Sequence, residues 1–125
     1  MSEGNSPQGW EIRDSGQRQE FAGGMIRDTC EGKIDYTGLL FGPLLKRWAA
    51  HTTAGRAKYP DVQLGVPNWT LAAGEAEYHR FRQSAFRHFM QYMAGETDED
   101  HLAATAFNLN GMEYVREKLA EGGKL

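Results

Sequence analysis

The second half of the chain gathers side chains able to bind a cation or move a proton: His88, Glu96, Asp98 and His101. Imidazole and carboxylate are ligands for divalent metals and the usual groups for acid–base work. Asp98, His101, Thr105 and Asn108 stand at i, i+3, i+7 and i+10, along one stripe of a helix. That stripe shares its angle with Met112 and Leu119, so it points toward a core. On the preceding segment Glu77, Ser84, His88 and Gln91 fall into one narrow angular band beside an apolar stripe. An inward polar group without a partner costs about 1–3 kcal/mol, so both rows need one. Two answers are open at this level. One is a divalent metal bound by His88, Glu96, Asp98 and His101, since ligands at i and i+3 facing a second helix are how bundles commonly build such sites. The other is hydrogen-bonded core histidines beside acids that serve a helix start. Glu99 and Asp100 are assigned to that helix-start role, where the dipole favours negative charge.

Other chemistries find no footing. The His-Asp pair of HD-type phosphohydrolases is absent, because the only such neighbours run in the order Asp100-His101. There is no His-Glu-x-x-His motif and no phosphate-binding P-loop. Cys30 has no clear base beside it and is read as a packing residue. Arg56-Ala57-Lys58-Tyr59 is a small basic patch close to Asn68-Trp69, a pair suited to hydrogen-bonding or stacking on a base.

These residues need helices to position them. A first helix is expected from Gly42-Pro43 to about Ala54, with proline at an N1-like position and Gly55 as its stop. A second is expected from about Leu71 to Ala94, with Tyr78, Phe81, Ala85, Phe89, Tyr92 and Met93 as its apolar stripe and Gly95 as its stop. A third starts at Thr97 as N-cap, with Asp100 as an acidic capping-box variant. It carries Leu102, Ala106, Leu109, Met112 and Leu119 and ends near Gly122-Gly123. The short connection makes the second and third helices antiparallel neighbours, which brings His88 and Gln91 to the end that holds Glu96, Asp98 and His101. Residues 1 to about 38 are rich in glycine and show no period, yet contain Trp10, Phe21, Met25, Ile26, Ile34 and Tyr36. The expected fold is all-α: a helical bundle of about three main helices with an ordered, irregular N-terminal arm. Residues 1–8 are expected to be flexible and 9–125 to form a single helical domain.

At 125 residues the chain suits one core. One cysteine excludes an internal disulfide, and no apolar run approaches the ~18 residues of a membrane span. No signal segment opens the sequence, so a cytoplasmic location is expected. A net charge of -3 gives no general pull toward nucleic-acid polymers or anionic membranes. Three helices make a thin core, and a homo-oligomer would complete it.

Five short motifs, in order, carry a family resemblance. They are Phe21-Ala-Gly-Gly-Met-Ile-Arg27-Asp28-Thr-Cys-Glu-Gly32-Lys33-Ile-Asp35-Tyr36; Gly55-Arg-Ala-Lys58-Tyr59; Asn68-Trp69; Arg87-His88 with Gly95-Glu96; and His101-Leu with Asn108. Over about residues 18 to 115 the chain resembles the phage-associated dATP/dGTP diphosphohydrolase N-terminal domain family, related to MazG-like all-α pyrophosphohydrolases. The resemblance implies metal-dependent hydrolysis of a deoxynucleoside triphosphate, dGTP or dATP, to the monophosphate and pyrophosphate, with Mg²⁺ or Mn²⁺ as cofactor. It implies catalytic and metal-binding roles for His88, Glu96, Asp98 and His101. It implies substrate contacts for Arg27, Lys33, Lys58, Asn68, Trp69, Arg87 and Asn108. MazG-like enzymes pair Glu-x-x-Glu with Glu-x-x-Asp on successive helices. No Glu-x-x-Glu occurs here, and Asp98-x-x-His101 stands in the Glu-x-x-Asp position with His88 on the facing helix. A non-catalytic nucleotide-binding or host-interaction phage protein on the same scaffold is the alternative.

Overall fold

The structure is a computed structural model that describes residues 4–5 and 9–122. The chain divides into two compact units between Tyr36 and Thr37. The stretch expected to be flexible, 1–8, lies outside the described residues but for Gly4–Asn5.

The N-terminal unit is not irregular throughout, as its sequence suggested. It contains two antiparallel strand pairs. β1 (Gly4–Asn5) pairs with β2 (Glu11–Ile12) in the register Gly4↔Ile12, and β3 (Arg18–Glu20) pairs with β4 (Ile26–Asp28) in the register Gln19↔Arg27. Strands of two and three residues are too short to show alternation in a sequence. The turn between β3 and β4 closes through Phe21 N–H to Met25 O at 2.9 Å and Gly24 N–H to Phe21 O at 2.8 Å, with Gly24 at φ 93°. Asp14 receives both prongs of the Arg18 guanidinium, at 2.7 and 2.9 Å, and Asp28 accepts from the Ser15 hydroxyl and backbone. Trp10, Ile12, Ile26 and Ile34 are exposed. So is Cys30, which corrects its reading as a packing residue.

The second unit is helical, and the all-α reading holds for it. A 3₁₀ turn (Tyr36–Leu40) straddles the division, and α1 (Leu44–Lys58), α2 (Glu75–Met93) and α3 (His101–Glu121) follow. Each helix departs from its expected bounds for a local reason. α1 runs through Gly55 and stops at Lys58, because Tyr59 is extended ahead of Pro60. α2 begins at Glu75 rather than near Leu71: Asn68–Leu71 forms a separate 3₁₀ turn, and the Glu77 carboxylate accepts from Ala73 N–H at 2.7 Å, fixing the helix start. α3 begins at His101, not Thr97. Its N-cap is Asp100, whose Oδ1 accepts from Ala103 N–H at 3.0 Å.

α2 and α3 pack antiparallel. At the end far from their connector the core is apolar: Ala72, Val115 and Leu119 are buried, with Tyr78 and Phe81 packed against them. Gly111 is buried under the Phe81 ring, and a Cβ there would come within 2.6 Å of it. The expected apolar stripe of α2 is only half covered. Tyr78 and Phe81 are partly buried and Ala85 is buried, while Phe89, Tyr92 and Met93 are exposed. On α3, Leu109 is exposed and Leu119 buried. No helix among the described residues is long and apolar enough to cross a membrane.

Candidate metal and nucleotide site

The inward polar stripe of α3 is real. His101 is 2% exposed, Thr105 7% and Asn108 8%, facing His88 of α2 at 8%. Thr105 and Asn108 answer their burial locally, donating to the carbonyls of His101 and Ala104 at 2.7 and 2.8 Å. The histidines answer theirs across the helix pair. His88 Nδ1 and His101 Nδ1 lie 2.9 Å apart, and His101 Nε2 lies 2.8 Å from Asp98 Oδ1.

The chemistry of the three groups orders the protons. The hydrogen bond from His101 holds the Asp98 carboxyl below its usual range, so Asp98 is an ionised acceptor. His101 therefore carries its proton on Nε2. In the neutral ring Nδ1 then accepts, and His88 Nδ1–H donates to it. Burial, aided by the charge of Arg87, pushes the His88 pKa down and keeps that ring neutral. The Nε2 lone pair of His88 becomes the open end of an Asp–His–His chain.

The connector, Ala94–Asp100, sets the acids around this chain. It is longer than the sequence suggests, because α3 starts at His101 rather than at Thr97. Gly95 turns the chain at φ 79°, its N–H bonding Tyr92 O at 3.0 Å while Glu96 N–H reaches Gln91 O at 3.1 Å. This is a Schellman closure that glycine makes without strain. Gln91 then donates to Glu96 Oε1 at 3.2 Å. Asp100 is pinned from α1: Arg47 Nε and Nη2 grip its carboxylate at 2.7 and 2.6 Å. Its pKa falls to about 2, chiefly through that guanidinium. Asp100 is thus a helix-start residue, as expected, but Glu99 is not. It stands ahead of the helix, with its carboxylate among the histidines.

Two groups of side chains bring one ligand atom each within 4.8 Å of one another: His88 with Glu99 and His101, and Glu96 with Asp98 and His101. All four expected metal ligands are present, but His101 divides them between the two groups. The sequence reading missed Glu99. Its type and its place two residues before His101 were visible, but the path of the connector was not.

Glu99 also lines a cavity of about 380 Å³, with His51, Lys58, Tyr59, Asn68, Trp69 and Phe107 around it. Three expected substrate residues, Lys58, Asn68 and Trp69, therefore share one wall system. Trp69 is held edge-on by Phe107 and Tyr114, with ring centroids 5.8 and 5.0 Å away. Arg56 of the basic patch is tied to Asp61, its Nε 2.9 Å from Oδ1. The remaining expected contacts lie elsewhere. Arg87 is exposed beside Gln91, and Asn108 bonds its own helix. Arg27 and Lys33 line an open groove of the N-terminal unit with Arg13 and Arg18.

The sequence over residues 26–120 matches the family described as dATP/dGTP diphosphohydrolase, N-terminal. No curated protein and no solved structure gives a match. Since the matched region covers most of the helical unit and reaches into the strand-paired one, the chain belongs to the dATP/dGTP diphosphohydrolase N-terminal family.

Proposed function

We propose that the protein hydrolyses deoxynucleoside triphosphates, dATP or dGTP, to the monophosphate and pyrophosphate with a divalent metal, Mg²⁺ or Mn²⁺. One observation carries the reading: the aromatic cavity and the histidine–acid cluster meet at Glu99. A nucleoside seated against Trp69 and Phe107 would present its phosphates toward the cluster. About 380 Å³ is within the usual range for a small-ligand pocket. Asn68 offers an amide donor and acceptor to a base edge, and Lys58 offers a cation to phosphate oxygens.

The donor set fits a divalent ion. Two imidazoles, His88 and His101, stand with their Nδ1 atoms 2.9 Å apart and carboxylates close by. A metal held by these residues would supply a polarised water and neutralise phosphate charge. The protein's share is to keep the His88 ring neutral, orient His101 through Asp98, and present the α-phosphate beside the cluster. The cytoplasmic nucleotide pool would supply the substrate. The exposed run Phe86, Phe89, Met90 and Met93 on α2 supports a homo-oligomer in which a second subunit covers it.

The test is a nucleotide panel incubated with Mn²⁺ or Mg²⁺ and resolved by chromatography. Pyrophosphate should appear from dATP or dGTP, and not after metal removal. Release of single phosphates instead would overturn the assignment of the cleaved bond. One observation favours the second reading, a nucleotide-binding or host-interaction protein without turnover. Among the described residues no buried side-chain polar atom lacks a partner, so the histidine pair is satisfied without a cation. Thermal stabilisation by deoxynucleotides with no product formed would select it.

A further inference from the structure

We infer that the protein reads the base of its nucleotide with Glu77 and Arg80 and prefers guanine to adenine. The inference rests on the deoxynucleotide reading and names the base.

A second cavity, of about 450 Å³, lies on the α2 side of Trp69. Tyr59, Asn68, Trp69 and Phe107 line it, and the same four residues line the cavity that holds Lys58 and Glu99. The two spaces thus share one aromatic wall and differ in their polar ends. The first offers Lys58 and, at Glu99, the histidine–acid cluster, groups suited to phosphates and a cation. The second offers Glu77 and Arg80, three residues apart at the start of α2. A nucleotide that spans both keeps its charged end in the first and its base in the second. Aromatic faces stack on any base and make little choice among them. The choice falls to Glu77 and Arg80.

Both groups are placed and neither is used up. Glu77 Oε2 accepts from Ala73 N–H at 2.7 Å, which fixes the carboxylate beside the turn that carries Trp69. A carboxylate has about four acceptor sites, so Oε1 is left for a ligand. Arg80 Nη1 donates to Gln83 Oε1 at 3.2 Å, and a guanidinium has five N–H donors. The pairing edge of guanine runs O6, N1–H, N2–H: one acceptor and then two donors. A carboxylate takes the two donors together, and a guanidinium beside it donates to O6. The pairing edge of adenine reverses the first two. Its N1 lone pair would meet the carboxylate and its N6–H₂ the guanidinium, two mismatched contacts that count against it.

The experiment titrates the full chain by calorimetry with dGMP, dIMP and dAMP, none of which carries a pyrophosphate to lose. The dIMP base keeps O6 and N1–H but lacks the N2 amine. A bidentate contact to a base edge discriminates by about 10- to 100-fold. dGMP should therefore bind most tightly, dIMP about tenfold more weakly and dAMP about 100-fold more weakly. Glu77→Gln retains an amide oxygen for Ala73 N–H but not the paired acceptors, and should cut the preference for dGMP over dAMP to about fivefold or less. Arg80→Gln should weaken dGMP about tenfold and dAMP much less. Lys58→Met should weaken all three alike, because it acts on the phosphate. Glu77 and Arg80 are exposed, so neither variant depends on a rebuilt core. Equal affinity for dGMP and dAMP, wild-type selectivity in Glu77→Gln, or a changed base preference in Lys58→Met would each overturn the assignment. Turnover does not enter the titration. Guanine-selective binding by a chain that hydrolyses nothing leaves the assignment standing, and hydrolysis of dATP and dGTP with no base preference in binding sinks it while sparing the hydrolase reading.

Discussion

The seam between α2 and α3 is built in two ways. Far from the connector it is held by shape: Phe81 lies over Gly111, and Val115 and Leu119 fill the space behind. Near the connector it is held by donors and acceptors: Asp98, His101 and His88 in series, with Thr105 and Asn108 bonded back to their own helix. The shape-held end tolerates polar change badly because volume is fixed there. The hydrogen-bonded end is costly to disturb because each member satisfies the next. A seam that were apolar throughout would bind its helices as well but offer no donors or acceptors.

The largest expected effect breaks the polar end. His101→Ala removes two hydrogen bonds, leaves His88 Nδ1–H unpaired and opens a void, for a loss of about 3 kcal/mol. Urea unfolding should show it, and deoxynucleotide hydrolysis should fall below detection. A variant that keeps wild-type turnover would remove His101 from the site altogether.

The shape-held end should fail by crowding. Gly111→Ala gains about 1 kcal/mol of helix propensity but forces the Phe81 ring aside, and overpacking costs about 1–3 kcal/mol. Three Phe81 ring atoms lie within 2.8 Å of the new Cβ, which places the cost high in that range. The net expectation is a destabilisation of about 1–2 kcal/mol with metal binding intact. Adding Phe81→Leu should recover part of the loss, so a double-mutant cycle showing simple additivity would refute the crowding account.

The two ends were not equally legible in the sequence. The polar stripe could be read, because 3.6-residue periodicity alone places His101, Thr105 and Asn108 beside Met112. The antiparallel pairing that brings His88 to His101 could be read from the short connection. What surrounds them could not. Asp98, Glu99 and Asp100 look alike as first-turn acids, and only Arg47, reaching from 53 residues away, selects Asp100 as the cap. That choice leaves Asp98 and Glu99 in the connector, free to serve the histidines. Gly55 reads as a stop because glycine commonly ends helices, yet Pro60 outweighs it. The crowding of Gly111 by Phe81 has no sequence signal, since it depends on how closely two backbones approach.

The Arg47–Asp100 contact sharpens the comparison through pH. Asp100 titrates near 2 when folded and at its ordinary 3.8 when unfolded. A lowered folded pKa gives stability that is present in full above the unfolded value and is lost as pH falls toward the folded one. The loss therefore runs from about pH 4 down to about pH 2. Asp100→Asn keeps a capping oxygen but not the charge, so it should flatten acid unfolding in that window. At pH 7 it should cost about 1 kcal/mol, as expected for a partly exposed ion pair. Gly111→Ala should leave the acid profile unchanged in shape, because the contact it changes, Phe81 over Gly111, involves no titrating group.

The smallest effect lies where the two ends communicate. Lys118, one turn of α3 beyond Tyr114 and beside the apolar core, donates to Thr70 O at 2.7 Å and Ala72 O at 3.1 Å. Tyr114 Oη donates to Thr70 O at 3.1 Å, and the Lys118 ammonium sits 4.4 Å above the Tyr114 ring. These contacts latch the 3₁₀ turn that carries Asn68 and Trp69 into the cavity wall. Lys118→Met keeps the stem but removes the donors. It should cost only about 0.5–1.5 kcal/mol, the net worth of such a bond. Its consequence for function should be larger than its cost in stability. A loosened Trp69 should raise KM for the deoxynucleotide several-fold with kcat unchanged, and Tyr114→Phe should do the same more weakly. If kcat falls instead, the turn positions the reacting phosphate as well as the base, and the division between a shape-held end and a chemical end is less sharp than the contacts suggest.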